Sequence, residues 1–196
     1  MFINSPAQVH ERGTTLIEMI VFIIIVSVGV VGLMSTMNST IRFSADPMIR
    51  KQMVAIAESL LSEVLQQPFT YCDPDDANAS TALSTAGCTG GAAGSQDKNG
   101  ANFTTPTPTT ESRYGAATTQ FDNVADYGGF SRANIDDVSG ANAMTGYTAS
   151  VAVSRAGTTF GLADNGAALQ VTVTVQRAGN DDFSLTGYRF RYAPRF

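Results

Sequence analysis

The hydrophobic pattern begins with one long apolar run near the start of the chain. Residues 19–34 (MIVFIIIVSVGVVGLM) contain no charged side chain. At a rise of about 1.5 Å per residue, a helix from Leu16 to Met34 is about 28 Å long, close to the roughly 30 Å hydrocarbon core of a bilayer. A secretory signal peptide has a shorter apolar core and a small-residue cleavage site, which residues 35–38 do not offer. The run also lacks a polar face, so we predict a membrane-spanning helix rather than a buried core helix.

A second apolar pattern follows, with the three-to-four spacing of an amphipathic helix. Its apolar positions are Ile49, Met53, Ile56, Ala57, Leu60, Leu61, Val64 and Leu65. Pro47 has two interpretations. It kinks or interrupts a continuous helix, or it is the first residue of a second helix with Asp46 as the N-cap. In both cases we expect the helix to end before Pro68.

The last third of the chain alternates between apolar and polar residues with a period of two. Residues 147–153 and 169–175 place Tyr, Ala, Val and Leu on one face and mainly Thr, Ser and Gln on the other. A third run covers residues 183–192, and residues 178–181 (AGND) have the composition of a hairpin turn. The pattern predicts antiparallel strands whose apolar face is covered by the amphipathic helix, and therefore an α+β fold. The aromatic residues at positions 188, 190 and 192 have two interpretations. They belong to an ordinary edge strand with half-buried aromatic side chains, which is the commoner arrangement, or they form a stacking platform for sugar or nucleic acid.

The segment between helix and strands is rich in Gly, Thr, Ser, Ala and Asn, which predicts loops and short strands. It contains both cysteines of the chain, Cys72 and Cys88. The preceding span predicts a periplasmic or extracellular location, where a disulfide is the simplest interpretation of two cysteines. Closing a loop of about 15 residues contributes roughly 3 kcal/mol in the chain-entropy model. A redox-active pair would more often have the Cys-x-x-Cys spacing.

Charge and motif content exclude several functions. The net charge is −5 and the 12 basic residues are scattered, which disfavours binding to nucleic acid. The one histidine of the chain, His10, lies upstream of the apolar segment in a stretch expected to be removed, so a histidine-based catalytic site is not expected in the mature chain. The chain has no P-loop, so a nucleotide site is not expected either. The acidic clusters lack EF-hand spacing, and we interpret them as solvated turns without a metal or cofactor. They comprise Asp73, Asp75 and Asp76; Asp122 and Asp126; Asp136 and Asp137; and Asp181 and Asp182.

Glu18 is the residue that gives the apolar helix a functional signature. It lies at the edge of the predicted span, where an isolated carboxylate costs several kcal/mol. No Lys or Arg lies within helical reach on the same chain, so we expect another subunit to supply the cation. Another interpretation is a polar residue in a membrane bundle or a proton-relay carboxylate.

Residues 12–18 (RGTTLIE) resemble the cleavage signature of type IV prepilins. The resemblance implies that prepilin peptidase cuts after Gly13 and that Thr14 becomes the N-methylated first residue, where the family usually has Phe or Met. Glu18 is then the fifth residue of the mature chain. It would set the register of assembly by pairing with the N-terminal amine of a neighbouring subunit, since pairing offsets the cost of burial when the geometry is good.

Three further segments are similar to minor pilins of mannose-sensitive haemagglutinin (MSHA) pili, and more distantly to V-type minor pilins and I-type pseudopilins. They are residues 45–69, 121–127 and 146–151. The similarity implies the type IV pilin fold, in which a long N-terminal helix packs on an antiparallel sheet. It also implies a low-abundance structural subunit rather than the main repeating subunit or an enzyme.

The expected organisation follows from these patterns and resemblances. It has a leader (1–13), a transmembrane or fibre-core helix (14–37), an amphipathic helix (38–68), a loop-rich region with the disulfide (69–146) and a sheet (147–196). We expect the subunit to reside in the inner membrane with a periplasmic C-terminal part, and then to join or prime an extracellular pilus for surface attachment. Its expected partners are other pilin subunits, prepilin peptidase, the inner-membrane assembly platform and the membrane. The alternatives are a pseudopilin of a type II secretion system and a membrane-anchored adhesin or binding module.

Overall fold

The computed structural model describes residues 13, 15–97, 103, 111–116 and 119–191, apart from the side chains of residues 39–46. The chain divides into two units, Met1–Met48 and Ile49–Phe196. Helix α1 is assigned as Leu16–Gln66, with Pro47 inside it. The expected helix end before Pro68 is therefore confirmed. Thr14 and the side chain of Asp46 lie outside the described residues.

In the first unit, the apolar segment Leu16–Asn38 is helical, 23 residues long and not buried. By length and composition it is long and apolar enough to cross a membrane. Its hydroxyl groups bond within the helix: Ser27 Oγ donates to the carbonyl of Ile23 at 2.6 Å, and Thr36 Oγ1 donates to that of Leu33 at 2.9 Å. Such bonds satisfy polar groups that hydrocarbon would otherwise leave unpaired.

The second unit combines the C-terminal part of α1 with a four-stranded sheet, and the coarse α+β prediction is confirmed. The strands are β1 (Ser131–Ala133), β2 (Tyr147–Arg155), β3 (Ala168–Arg177) and β4 (Phe183–Phe190). Their order is β1-β2-β3-β4 and every neighbouring pair is antiparallel. The order of the strands in the sheet is the same as their order in the sequence, so each connection joins two neighbouring strands.

The core of this unit lies between α1 and one face of the sheet. The register places Val151 opposite Val173 and Val173 opposite Leu185, so apolar side chains share one face across three strands. The helix contributes buried side chains at the predicted spacing, and the strands at every second position. The buried set includes Met53, Ala57, Leu60, Leu61 and Val64 from α1, and Ala149, Val151, Val153, Leu169, Val171, Val173 and Val175 from the sheet.

Two glycines show why the β3–β4 hairpin takes its form. Gly179 has a φ of +81°, a left-handed conformation that suits the predicted turn after β3. Gly187 lies in β4 on the side that faces α1, and a Cβ there would come within 2.8 Å of a methyl group of Leu65. The close approach of strand and helix thus favours glycine here, because a larger residue would require the side chain of Leu65 to shift.

Strand β1 is one of the short strands expected between the helix and the main strands, but its position was not predicted from the sequence. It pairs residues 131–133 with residues 148–150 of β2, inside the segment expected to be loop-rich. Its three residues are all exposed, so they carry no apolar alternation that would mark a strand. Backbone pairing to the free edge of β2 defines this strand.

Candidate functional site

The start of α1 exposes the predicted processing and assembly residues that are described. Gly13 is exposed, and Glu18 is an exposed acidic residue in the first turn of the helix. A carboxylate is favourable at this end of a helix because it faces the positive end of the macrodipole. None of the ion pairs between described residues involves Glu18. The geometry therefore leaves this carboxylate accessible, and its role in assembly stays a prediction.

The second unit contains the predicted disulfide. Cys72 and Cys88 are bonded, with their Cα atoms 5.3 Å apart. The loop between them is also closed by hydrogen bonds, since Asp76 Oδ2 accepts from the Thr89 amide at 2.9 Å and Oδ1 accepts from its hydroxyl at 2.8 Å. Gln96 Nε2 donates to the carbonyl of Cys72 at 2.9 Å. These contacts fix the chain on both sides of Asp73, at Cys72 before it and at Asp76 after it.

Four carboxylates converge next to the disulfide, and we refer to Asp73, Glu111, Asp122 and Asp126 as the acidic cluster. Each residue places one carboxylate oxygen within 4.8 Å of the oxygens from the other three. Asp73, Glu111 and Asp126 are buried, and Asp122 is half-buried. The four residues come from three segments of the chain, with Asp122 and Asp126 in the same one, so the cluster is a product of tertiary folding.

Asn123 positions two members of the acidic cluster. It is the N-cap of a 3-10 helix, Val124–Tyr127, and its side-chain amide donates to Asp73 Oδ2 at 2.8 Å. Its backbone N–H donates to Asp126 Oδ2 at 3.2 Å, which completes a capping box. Asn123 thus satisfies the 3-10 helix and orients both carboxylates.

Glu111 is brought to the same place by pairing between two loop segments. Ser112 forms an isolated parallel bridge with Gln120, and the amide of Phe121 donates to the carbonyl of Ser112 at 3.1 Å. Glu111 directly precedes this bridge and Asp122 follows it by two residues, and their carboxylate oxygens lie within 4.8 Å of each other.

The electrostatics of the acidic cluster are unfavourable for four ionised groups. Burial, followed by the charges of Asp126 and Asp73, raises the pKa of Glu111 to about 9. Burial, followed by the charges of Asp73 and Asp126, raises the pKa of Asp122 to about 7. Neither carboxylate oxygen of Glu111 accepts a hydrogen bond from a donor in the described part of the chain. A proton or a cation must therefore compensate the charge at this place.

The interpretation of the acidic residues as solvated turns is wrong for several of them. Asp73, Asp126 and Asp136 are buried, because tertiary contacts cover turns that look exposed in the sequence. Asp181 and Asp182 are exposed beside the hairpin turn, as expected. Sequence reasoning also missed Glu111, which has no acidic neighbour in the chain and therefore gives no cluster signal.

A second buried charged group, the Arg113 network, consists of Arg113, Glu63, Asp136, Arg132 and two tyrosines. Arg113 donates to both oxygens of Glu63, from Nε at 2.7 Å and from Nη2 at 2.6 Å. Its Nη1 donates to the backbone carbonyl of Asp136 at 3.0 Å, and Arg132 Nη2 lies 2.8 Å from Asp136 Oδ2. The tyrosines are Tyr127, which donates to Glu63, and Tyr114, which donates to Asp136. Glu63 and Asp136 are each paired with an arginine, and the pair of Glu63 with Arg113 links α1 to the loop that contains Arg113. We therefore assign this network a structural role.

The aromatic residues of the edge strand form a small exposed patch. The ring centroid of Phe160 lies 5.0 Å from that of Tyr188 and 5.0 Å from that of Phe190, both in edge-to-face geometry. Tyr188 and Phe190 are 41% and 47% exposed, whereas Arg191 turns inward to pair with Asp97 at 2.8 Å. Tyr192 lies outside the described residues. The rings contact each other, which is sufficient to explain their arrangement.

No protein-family model, curated protein or solved structure matches this chain. The α+β architecture, the disulfide and the exposed apolar helix are therefore known from the structure of this chain and not from a related protein.

Proposed function

We propose that this chain is a minor type IV pilin of the MSHA-like kind, a structural subunit that joins a pilus or primes its assembly. The observation that carries the proposal is the exposed helical segment Leu16–Asn38, which is predominantly apolar and contains no charged residue except Glu18 near its start. An apolar surface of this length requires a lipid or protein environment. The resemblance of residues 12–18 to a prepilin cleavage signature supports the same function.

In this proposal the apolar helix serves in two environments. It holds the subunit in the inner membrane, and in the fibre the same surface contacts the helices of other subunits. Exchange of lipid for protein contacts requires little net free energy, because lipid tails and apolar side chains are similarly apolar. Glu18 sets the register by pairing with the N-terminal amine of a neighbouring subunit after cleavage behind Gly13. The disulfide of the second unit suits an oxidising compartment.

The first test is N-terminal sequencing and intact-mass measurement of the native protein, taken from sheared surface fibres and from the inner membrane. We expect a chain in the fibres that begins at N-methylated Thr14. A processed chain confined to the membrane would favour a pseudopilin of a type II secretion system or a priming subunit. A chain that keeps residues 1–13 in both fractions would contradict the prepilin interpretation and favour a membrane-anchored binding protein.

The second test addresses Glu18 alone. We expect Glu18→Gln to be processed normally but to enter fibres at a level lower by about tenfold or more, because breaking a buried ion pair costs about 3–5 kcal/mol. Glu58→Gln is the matched control, since Glu58 is an exposed glutamate on the same helix. Equal incorporation of the two variants, measured by immunoblotting of sheared fibres, would show that Glu18 does not set the register.

A further inference from the structure

The acidic cluster has the dimensions of a cation site. Two ligand oxygens on opposite sides of a calcium ion, each about 2.4 Å from it, are about 4.8 Å apart. The four carboxylates of the cluster place one oxygen each within 4.8 Å of one another, so all four fit around a single ion. Without a compensating charge, the same arrangement is costly, because buried like charges repel each other.

Glu111 is an independent indication of a ligand. Its side chain belongs to a residue only 5% exposed, and both carboxylate oxygens lack a hydrogen-bond donor among the described residues. Buried carboxylates in proteins are normally paired, hydrogen-bonded or bound to a metal. Glu111 has its ligand oxygen within the cluster, so the bonding capacity that remains unused is directed at the place where an ion would lie.

The donor set indicates which ion belongs there. All four ligand groups are carboxylates, and the one nearby pair of sulfur atoms, in Cys72 and Cys88, is a disulfide and therefore not a thiolate ligand. Hard oxygen donors suit Ca²⁺ and Mg²⁺ rather than zinc or copper. Mg²⁺ keeps several waters and is usually bound by one or two carboxylates, whereas Ca²⁺ accepts six to eight oxygens in flexible geometry.

We propose that Asp73, Glu111, Asp122 and Asp126 bind one Ca²⁺ ion, which joins the segment after the disulfide to the two loop segments at Glu111 and Asp122. Bidentate carboxylates and water supply the remaining oxygens. The bound ion neutralises the cluster and locks together segments that contain little regular secondary structure. This site is independent of the proposed pilin function, since its ligands all lie in the second unit.

The test uses the full chain in detergent micelles, stripped with EDTA and then titrated with CaCl₂. We expect calorimetry to show one Ca²⁺ per chain. At a free Ca²⁺ concentration of 100 times Kd, we expect the melting temperature to rise by about 5–10 °C, because binding to the folded state alone stabilises it. Mg²⁺ at the same concentration is expected to give a clearly smaller shift.

Two variants separate a built site from diffuse attraction. Glu111→Gln is expected to weaken Ca²⁺ binding by about tenfold or more, since it removes one charged ligand, while the variant still folds in EDTA because an uncompensated buried carboxylate is gone. Asp182→Asn is the control, an exposed acid outside the cluster with the same loss of charge. The proposal is overturned if the folded wild-type chain shows neither calcium heat nor a calcium-dependent melting shift. It is equally overturned if Asp182→Asn weakens binding as much as Glu111→Gln.

Discussion

The acidic cluster and the Arg113 network are both groups of buried charged residues, but their charges are compensated in opposite ways. They are neighbours in the chain at Glu111 and Arg113, which are two residues apart. The Arg113 network gives both of its acids a cation, with Glu63 bound by the two-pronged guanidinium of Arg113. The acidic cluster, to which Glu111 belongs, brings four carboxylates together. Burying a charge is tolerated when a partner of opposite charge and enough hydrogen bonds are present. The difference indicates that the Arg113 network is complete within the chain, whereas the acidic cluster requires a proton or an ion from outside.

The pKa values express the same contrast. Burial alone would lower the pKa of Arg113, but the hydrogen bonds and charge of Glu63 outweigh it and leave the pKa raised. Burial would raise the pKa of Asp136, but hydrogen bonds from Tyr114 and Arg132 outweigh it and leave the pKa lowered. At Glu111, burial and the neighbouring charges act in the same direction and raise the pKa to about 9. The charged forms of Arg113 and Asp136 are thus favoured, whereas the charged forms of Glu111 and Asp122 are disfavoured.

The largest expected effect comes from removing the cation of the Arg113 network. Arg113→Met leaves Glu63 and Asp136 without the guanidinium that both contact, and the side chain of Arg113 is only 4% exposed. Breaking a buried pair from one side costs about 3–5 kcal/mol of the free energy of unfolding. Urea denaturation of the full chain in EDTA measures the loss without contribution from calcium.

The double variant Arg113→Met with Glu63→Gln is the control for this prediction. It removes the charge that the single variant leaves unpaired, so we expect it to recover part of the lost stability. A loss below about 1 kcal/mol in the single variant would place the ion pair among weak surface pairs and contradict its structural role.

The next effect in size concerns the disulfide, which borders the acidic cluster. Replacing both Cys72 and Cys88 by Ser removes a cross-link around a loop of about 15 residues, and we expect a loss of about 3 kcal/mol. Because Asp73 follows Cys72 directly, we also expect weaker Ca²⁺ binding in this variant, measured by calorimetry. The reduced wild-type chain should behave like the double variant. Unchanged Ca²⁺ affinity in both would show that the disulfide does not position the acidic cluster.

The extent to which the sequence predicts these features depends on how local their signals are. The helix positions from Ile49 onward, the alternating residues of β2 and β3, and the turn at Gly179 follow from periodicity or turn chemistry within a few residues. The pairing of Cys72 with Cys88 follows because the chain has two cysteines. All of these predictions are confirmed by the structure.

The acidic cluster and the Arg113 network were not predicted, because their members are far apart in the sequence and form no local pattern. Glu111 and Asp73 are far apart in the chain, and Arg113 reaches Glu63 across 50 residues. A solvated turn and a buried cluster have the same composition, so Asp126 gives no sign in the sequence that folding will bury it. The position of strand β1 was missed for a related reason, since only its backbone pairing to β2 distinguishes it from a loop.

The smallest expected effect tests the exposed end of the Arg113 network. Arg132 contacts Asp136 at 2.8 Å, but its side chain is 48% exposed, and Asp136 keeps its contacts with Arg113 and Tyr114 when Arg132 is absent. Exposed ion pairs contribute little, so we expect Arg132→Ala to cost at most about a quarter of the loss caused by Arg113→Met in the same urea assay. At about 1 M salt the Debye length is about 3 Å, and the effect of Arg132→Ala should vanish while that of Arg113→Met persists. If the two variants lost equal unfolding free energy, or if both losses depended equally on salt, the exposed cation of Arg132 would matter as much as the buried cation of Arg113. The buried guanidinium of Arg113 would then no longer explain why the Arg113 network needs no cation from outside the chain, whereas the acidic cluster does.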